Sequence, residues 1–216
     1  PAQFYSRTDA WDISQDPGTG RAGQGAQTQT ITDPSTGRVV GTREARMEPY
    51  YLLIKLPGDE KETFQILQNF VPFSKDERQR NLTSFMVANS DPDAYGTLTT
   101  YQMPGSNLPD GPNLVADQMK SDSAVGELQT NLCQQGSECE LRNLVMVPIG
   151  DSLLYVRSFF VSGNESKVPT LSRVIVSFQS KTGTNIAVDE TLAGALVKLG
   201  FGDVPDELLD LSYTRG

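Results

Sequence analysis

The chain contains no histidine among its 216 residues. The imidazole of histidine is the usual general base for a serine or cysteine nucleophile, and it is also the commonest metal ligand. Its absence excludes the catalytic triads and the zinc sites that depend on this side chain. We therefore expect a protein without catalytic activity and without a cofactor.

The chain also lacks long hydrophobic runs. No segment approaches the roughly 18 apolar residues of a membrane-spanning helix. The start is not the charged and then apolar segment of a signal peptide, and the first residue is Pro1 rather than Met. We expect the chain to be an excised part of a longer polypeptide.

Positive charge is scarce. The sequence has 18 basic and 27 acidic residues, which gives a formal net charge of -9. Such a field repels nucleic acid and phospholipid headgroups, so nucleic acid is not an expected partner. Hydrophobic residues make up 37% of the chain. Because this is below the roughly 45–50% of globular domains, part of the chain should be polar loop or tail.

Cysteine occurs only twice, as Cys133 and Cys139, on either side of the turn-like stretch QQGSE. This spacing favours a small disulfide loop, worth about 2 kcal/mol of stability, and hence an oxidising compartment. Two free buried thiols, or half of a metal site, are the alternatives. A zinc site normally needs about four ligands, and the chain has no second cysteine pair.

Turn-forming and polar stretches divide the chain into three parts. Residues 1–49 form an N-terminal segment, and its stretch SQDPGTGRAGQGAQ at 14–27 predicts a Gly-rich polar loop. Residues 50–202 carry the apolar patterns of a main α+β domain. Residues 203–216 form an acidic tail.

Strand patterns come mostly in consecutive pairs. YYLLIKL at 50–56 is apolar on both alternating faces, which predicts a strand covered on both sides, and TFQILQNFV at 63–71 predicts its hairpin partner, with Phe64, Ile66 and Phe70 on one parity. This pairing predicts an α+β fold with a largely antiparallel, or mixed, sheet of about six or more strands and three or four helices packed on it. Further strands are predicted at 97–103, 140–148, 152–161, 172–178 and 186–189, and a marginal hairpin at 28–42.

Helix patterns occur in three regions. SKDERQRNLTSFMVANS at 74–90 combines a Ser-x-x-Glu capping box, Ser74 with Glu77, and a short apolar stripe. Residues 113–134 predict two short helices that break near 120–123, the second capped by Ser123. A last helix is predicted over 190–199, with Asp189 as its N-cap and Gly200 as its C-terminal stop.

The stretch MVPIGDSLLYV at 146–156 contains Gly-Asp-Ser-Leu, the signature of a class of serine esterases and lipases. A nucleophilic Ser152 would need a base within hydrogen-bond reach, and neither a histidine nor a Ser-x-x-Lys spacing is present. The serine also lies two thirds of the way along the chain, before a β-rich segment. We therefore interpret Gly150 and Asp151 as the turn of a tight hairpin, and serine hydrolysis as the disfavoured alternative.

The stretch DPDAYG at 91–96 raises the question of calcium. Asp91 and Asp93 match the first two ligand positions of a helix–loop–helix calcium loop, but Tyr95 and Gln102 occupy later ligand positions. A turn is the simpler interpretation. A shallow calcium or small-ligand site that uses Asp91 and Asp93 is the alternative.

Several blocks occur in an order that resembles the uncharacterised protein family zero-one-eight-two, which comprises large multi-pass bacterial membrane proteins. They are FYSRTDAWDI, EPYYLLIKLPG, FVPF, RNLTSFMVANSDPDAYGTL, GP, NLVMVPIGDSLLYV, VPTLSRVIVSF and DETLAGAL. The resemblance covers most of residues 4–202, with 14–47 as an insertion-like exception. In that family a bundle of transmembrane helices precedes a large soluble region outside the membrane, and this chain is similar to that soluble region.

One strand pair of the family usually resembles Asn-Leu-Leu-x-Leu-Pro-x-Gly-x-x-Leu-Leu-Tyr-Val-Glu-Pro. In this chain Arg157 and Ser158 replace the Glu-Pro pair, Arg142 stands where glycine is common, and the cysteine pair is not a family hallmark. The serine of Gly-Asp-Ser-Leu is not required by the pattern. The matching residues are Asn143, Leu144, Pro148, Gly150, Leu153, Leu154, Tyr155 and Val156.

The resemblance implies a non-catalytic extracytoplasmic domain at the cell membrane of a bacterium, with a role in binding or assembly. Its expected partner is the membrane-spanning part of the same parent chain, and other envelope proteins are further candidates. The family has no established activity to transfer, so no catalytic residue is assigned.

Overall fold

A computed structural model of the chain describes residues 10–18, 20–21, 28–56, 58–73, 81–104, 108–134, 136–150, 152–163, 168–180 and 183–202. Every strand pairing in these residues is antiparallel, and three α-helices accompany the strands. The predicted α+β class with a largely antiparallel sheet is therefore confirmed.

The strands are β1 Trp11–Ile13, β2 Gly20–Arg21, β3 Thr28–Thr32, β4 Val39–Glu44, β5 Tyr50–Ile54, β6 Thr63–Pro72, β7 Ser84–Asn89, β8 Leu98–Gln102, β9 Ser137–Ile149, β10 Ser152–Gly163, β11 Thr170–Ser180 and β12 Gly183–Asp189. The helices are α1 Pro112–Ser121, α2 Ser123–Leu132 and α3 Leu192–Lys198, and a short 3-10 turn covers Pro92–Ala94.

The chain divides into two compact units. The first comprises residues 1–18 and 25–116, and the second comprises residues 19–24 and 117–216. The first unit contains the sheet of β1, β5, β6, β7 and β8 together with the separate hairpin β3–β4, and the second contains the sheet β12-β11-β10-β9-β2. The division falls within 50–202, the range that the sequence patterns assign to a main domain.

The first sheet is organised around β6. One edge of β6 pairs with β5 and, further along, with β1, and the other edge pairs with β7, which pairs with β8. The predicted hairpin of 50–56 with 63–71 is therefore confirmed. The buried side of β6 carries Leu67 and Val71, which are 0% and 5% exposed, so Phe64, Ile66 and Phe70 lie on the opposite face.

The predicted helix at 74–90 is wrong for its second half. Residues Ser84–Asn89 form β7, which is hydrogen-bonded on both edges within the first sheet. Phe85 and Val87 are each 2% exposed, so burial follows the two-residue period of a strand. A short run of adjacent apolar residues fits a helix or a strand, and the pairing partners on both sides decide the outcome. The Ser74–Glu77 capping box lies outside the described residues.

The second sheet is a meander of consecutive hairpins through β9, β10, β11 and β12. Its best-defined core packs under α3, where Leu154, Val174, Val176 and Ala187 meet Ala195 of the helix. Helix α2 lies against β9 and β12. The sequence predicts all of these strands because the segments are rich in β-branched and aromatic residues.

Two predicted helix caps are displaced. Asp122, rather than Ser123, caps α2, and its Oδ1 accepts a hydrogen bond from Ala124 N at 2.9 Å. Thr191, rather than Asp189, caps α3, and its hydroxyl accepts from Gly194 N at 3.0 Å. In both cases a neighbouring side chain reaches the free backbone amides with better geometry. Gly200, with φ of 85°, follows α3 as predicted.

The marginal hairpin predicted at 28–42 is present as β3 and β4. Every described side chain of β3 is exposed, so this hairpin adds little to the core. The predicted acidic tail at 203–216 lies outside the described residues.

Candidate functional site

Ser152 is the first residue of β10, and its Cα pairs with that of Ile149 in β9. Gly150, which follows Ile149, has a φ of 55°. The predicted tight hairpin is thus confirmed, although Asp151 lies outside the described residues. Ser152 is half-buried at this strand end, and no histidine exists anywhere in the chain to activate it.

Asp91 holds a turn together. Its backbone N–H donates to Asn89 Oδ1 at 2.8 Å, and its own Oδ1 accepts from Phe64 N at 3.4 Å. Asp93 is exposed on the 3-10 turn that follows. Among the residues that the structure describes, no group of three or more His, Cys, Asp or Glu side chains could hold a metal ion. Because calcium takes about six to eight oxygen ligands, these two carboxylates are not by themselves a site.

Cys133 and Cys139 form a disulfide, with their Cα atoms 5.5 Å apart. Cys133 is the C-cap residue of α2, and Cys139 is a buried residue of β9. The bond therefore fastens the end of a helix to a strand of the second sheet. The spacing of the two cysteines predicts this pairing, and the helix predicted within 113–134 and the strand predicted at 140–148 indicate the elements that it joins.

Arg157 is the largest of the fully buried side chains, with 2% exposure. Its Nε donates to the backbone carbonyl of Arg142 at 3.1 Å. That carbonyl lies where the register of β9 and β10 shifts, so the guanidinium satisfies a backbone acceptor at a bulge. Burial lowers the pKa of Lys120, and the charge of Arg157 lowers it further, while Asp117 opposes both effects.

An open depression of about 510 Å³ lies beside β10 and β11. The ion pair between Arg173 Nη2 and Glu190 Oε1, at 3.3 Å, occupies part of its wall. Because these two charges neutralise each other, the depression is not suited to binding a charged ligand. It is lined by Val161, Thr170, Leu171, Ser172, Arg173 and Glu190.

The outer face of the first sheet is the most unusual surface in the described residues. We use "outer face" for six apolar side chains: Tyr51, Leu53, Phe64, Ile66, Ala88 and Leu98. The strand register places four of them in one row across β5, β6, β7 and β8, and that row is Tyr51, Ile66, Ala88 and Leu98. Leu53 and Phe64 are paired in the next row.

Four of these side chains are exposed to solvent, and Ile66 and Ala88 are half-buried. Tyr51 is 62% exposed, Leu53 is 67%, Leu98 is 64% and Phe64 is 41%. The rings of Tyr51 and Phe64 stack with their centroids 5.3 Å apart. When one face of an antiparallel sheet is exposed to solvent, that face usually carries polar residues. This face can contact another apolar surface, and its only ionisable group is the phenol of Tyr51.

The sequence predicts part of this surface. The apolar residues on both faces of 50–56 indicate a strand that is covered on both sides, and the structure covers only the face of Ile54, which is 8% exposed. The predicted hairpin of 50–56 with 63–71 also places Phe64 on the neighbouring strand. Leu98 is not identifiable from the sequence as part of this surface, because its position depends on the strand order that puts β8 beside β7.

No helix in the described part of the chain has the length and apolar character that crossing a membrane requires. No solved structure matches the chain with significance. The model of the "Uncharacterised protein family (UPF0182)" matches residues 1–132.

Similar curated proteins extend the match over nearly the whole chain. A UPF0182 protein of Trichlorobacter lovleyi is 36% identical over 95% of this chain and 19% of its own length. A UPF0182 protein of Microcystis aeruginosa is 32% identical over 94% of this chain and 18% of its own length. A UPF0182 protein of Moorella thermoacetica is 32% identical over 89% of this chain and 18% of its own length. The chain thus spans under a fifth of the curated relatives that it matches.

Proposed function

The chain belongs to the uncharacterised protein family UPF0182, and from this membership we propose that it is a non-catalytic extracytoplasmic domain of a much larger bacterial membrane protein, with a role in binding or assembly. The observation that carries the proposal is that the relatives are much longer than this chain. Relatives align with 89–95% of this chain, but the alignment takes up only 18–19% of their own length. We call the complete protein, of which this chain would be a domain, the parent.

The disulfide supports the extracytoplasmic location. Disulfides persist in oxidising compartments and are rare in the reducing cytoplasm. The bond between Cys133 and Cys139 uses both cysteines of the chain. The net charge of -9 agrees with a domain that lies beside a membrane without adsorbing to anionic lipid headgroups.

Three observations support a non-catalytic role. The chain has no histidine, Ser152 lies at the start of a strand in a tight hairpin, and the described residues hold no cluster of metal-binding side chains. A serine-directed fluorophosphonate probe tests this point. We expect no labelling of the purified chain, whereas labelling that disappears in Ser152→Ala would support an esterase.

The redox state of the cysteines tests the location. Cells that make the parent are quenched with acid, alkylated and analysed by mass spectrometry before any reduction. We expect the peptides of Cys133 and Cys139 to be recovered unalkylated and linked. Recovery of both residues in alkylated form would contradict the proposed compartment.

A further inference from the structure

The two rows of the outer face are apolar, and the next row on the same side of the sheet, Gln68, Met86 and Thr100, is partly polar. The outward positions of β5, β6, β7 and β8 include no charged residue. Two rows that contain only apolar side chains, Tyr51 to Leu98 and Leu53 to Phe64, lie next to each other. Exposed apolar patches that are continuous in this way mark surfaces that are covered in the working protein.

A lipid surface is a poor occupant for this face. The chain carries a net charge of -9, so anionic headgroups repel it. No Lys or Arg belongs to the outward positions of β5 to β8, so the face also lacks the basic residues that would anchor it among headgroups.

A second copy of the chain is also a poor occupant, because the face is small. The longer row crosses four strands, and the two rows together span about three residues along a strand. With strands about 4.8 Å apart and roughly 3.4 Å per residue, the face measures roughly 200 Å². Two such faces would bury on the order of 400 Å², whereas stable complexes bury roughly 1,200–2,000 Å².

A segment of the same polypeptide needs far less area. Tethering holds it at a high effective concentration and removes most of the entropy cost of association. The relatives supply such chain in abundance, since more than four fifths of their length lies outside the matched region.

We propose that the outer face is the docking surface for an apolar segment of the parent that lies outside this chain. The inference rests on the proposed function, because it requires a larger parent. An amphipathic helix fits the dimensions, since its apolar stripe would lie along the row from Tyr51 to Leu98 and its width of about 10–12 Å would cover the neighbouring row as well. The expected partner chemistry is therefore an uncharged stripe of aliphatic and aromatic side chains.

Cysteine protection tests the docking. Leu98→Cys places a thiol on the outer face, and Val40→Cys places one on the β3–β4 hairpin, outside the first sheet. The two native side chains are equally exposed, at 64% each. Both native cysteines of the chain are held in the disulfide. Each variant is made in the 216-residue chain and in the parent, treated with a soluble maleimide, and quantified by peptide mass spectrometry.

In the parent, we expect the thiol at position 98 to react about tenfold or more slowly than in the 216-residue chain, because burial suppresses thiol reactivity. The thiol at position 40 should react at the same rate in both proteins. Leu53→Cys, on the second row of the face, should repeat the result for position 98.

If the thiol at position 98 reacted with maleimide as fast in the parent as in the 216-residue chain, as is expected at position 40, the docking surface would be overturned. The proposed domain role would stay intact. Protection that appears in the 216-residue chain as its concentration rises would put a second copy on the face and would also overturn the inference. A gene that encodes nothing beyond this chain would remove the proposed function itself, and the inference with it.

Discussion

Asp189 organises the junction between β12 and α3. Its Oδ1 accepts hydrogen bonds from Glu190 N at 2.7 Å and Thr191 N at 3.3 Å, and its Oδ2 pairs with Lys198 Nζ at 2.8 Å. The same ammonium group donates to Val188 O, so it links the end of α3 to the strand. The bond from Lys198 is the main cause that lowers the pKa of Asp189. This carboxylate is a hub for the junction, although it is not the helix cap.

The pKa shift of Asp189 predicts how acid affects stability. Because the pKa is lower in the folded chain than in the unfolded one, the stabilisation is complete above the unfolded value of about 4 and is lost as pH falls through the folded value. Asp189→Asn removes this contribution. We expect urea unfolding to give wild type a larger free energy of unfolding than the variant near neutral pH, and this difference to shrink below about pH 4. A difference in unfolding free energy that grows in acid would contradict this assignment.

Two helical glycines should respond oppositely to the same substitution. At Gly126 in α2, an added methyl group meets nothing within 4 Å, so Gly126→Ala should stabilise by about 0.5–1 kcal/mol through helix propensity. At Gly194 in α3, the methyl carbon would lie 2.5 Å from Asp189 Cγ. Gly194→Ala should therefore destabilise by about 1 kcal/mol, because it displaces a carboxylate that is hydrogen-bonded in place. Urea unfolding measures both.

The background variant Asp189→Ala provides the control for this pair. Without the carboxylate, Gly194→Ala should become neutral or stabilising, as at Gly126. If Gly194→Ala cost the same in both backgrounds, the contact with Asp189 would not be its cause.

At the scale of elements, the two faces of the first sheet differ in what they contribute. Leu67 of β6 is 0% exposed and Leu53 of β5 is 67% exposed. Leu67→Ala should cost about 2–5 kcal/mol because it leaves a cavity in the core. Leu53→Ala should change the stability of the 216-residue chain by less than about 0.5 kcal/mol. Denaturant unfolding of both variants checks this, and equal losses would show that the assignment of the faces is wrong.

The hairpins are predictable from sequence because their signals are local. Gly150 supplies the positive φ that a two-residue turn needs, and apolar residues alternate on either side of it. The strand at Ser84–Asn89 was not predictable, because its apolar run has no turn signal before it and fits a helix equally well. Hydrogen bonding to β6 on one edge and β8 on the other makes this segment a strand, and a local pattern does not reveal those partners.

The candidate sites likewise separate into features with a local sequence signal and features that depend on strand pairing. The disulfide is predictable because Cys133 and Cys139 are close in sequence. The buried Arg157 is not, since arginine is seldom fully buried and the bulge carbonyl that it satisfies appears only when β9 pairs with β10. The outer face is predictable at 50–56 and in the predicted hairpin partner at 63–71, whereas Ala88 and Leu98 come from strands further along the chain, one of them predicted as a helix.

At the scale of the whole molecule, the chain forms two compact units with their own sheets, an acidic surface charge and an apolar face that its own described residues leave exposed. These features suit a domain whose context is the rest of a larger polypeptide. The family match and the length of the relatives point the same way. The location of this domain outside the cytoplasm is the central claim.

Thiol labelling of the parent in spheroplasts tests that claim most directly. Val40→Cys puts an accessible thiol on the exposed β3–β4 hairpin, and a membrane-impermeant maleimide is added with the cytoplasmic membrane intact. We predict that the residue at position 40 is labelled as fully in intact spheroplasts as after lysis. Labelling that appears only after lysis would place the domain in the cytoplasm and contradict the account.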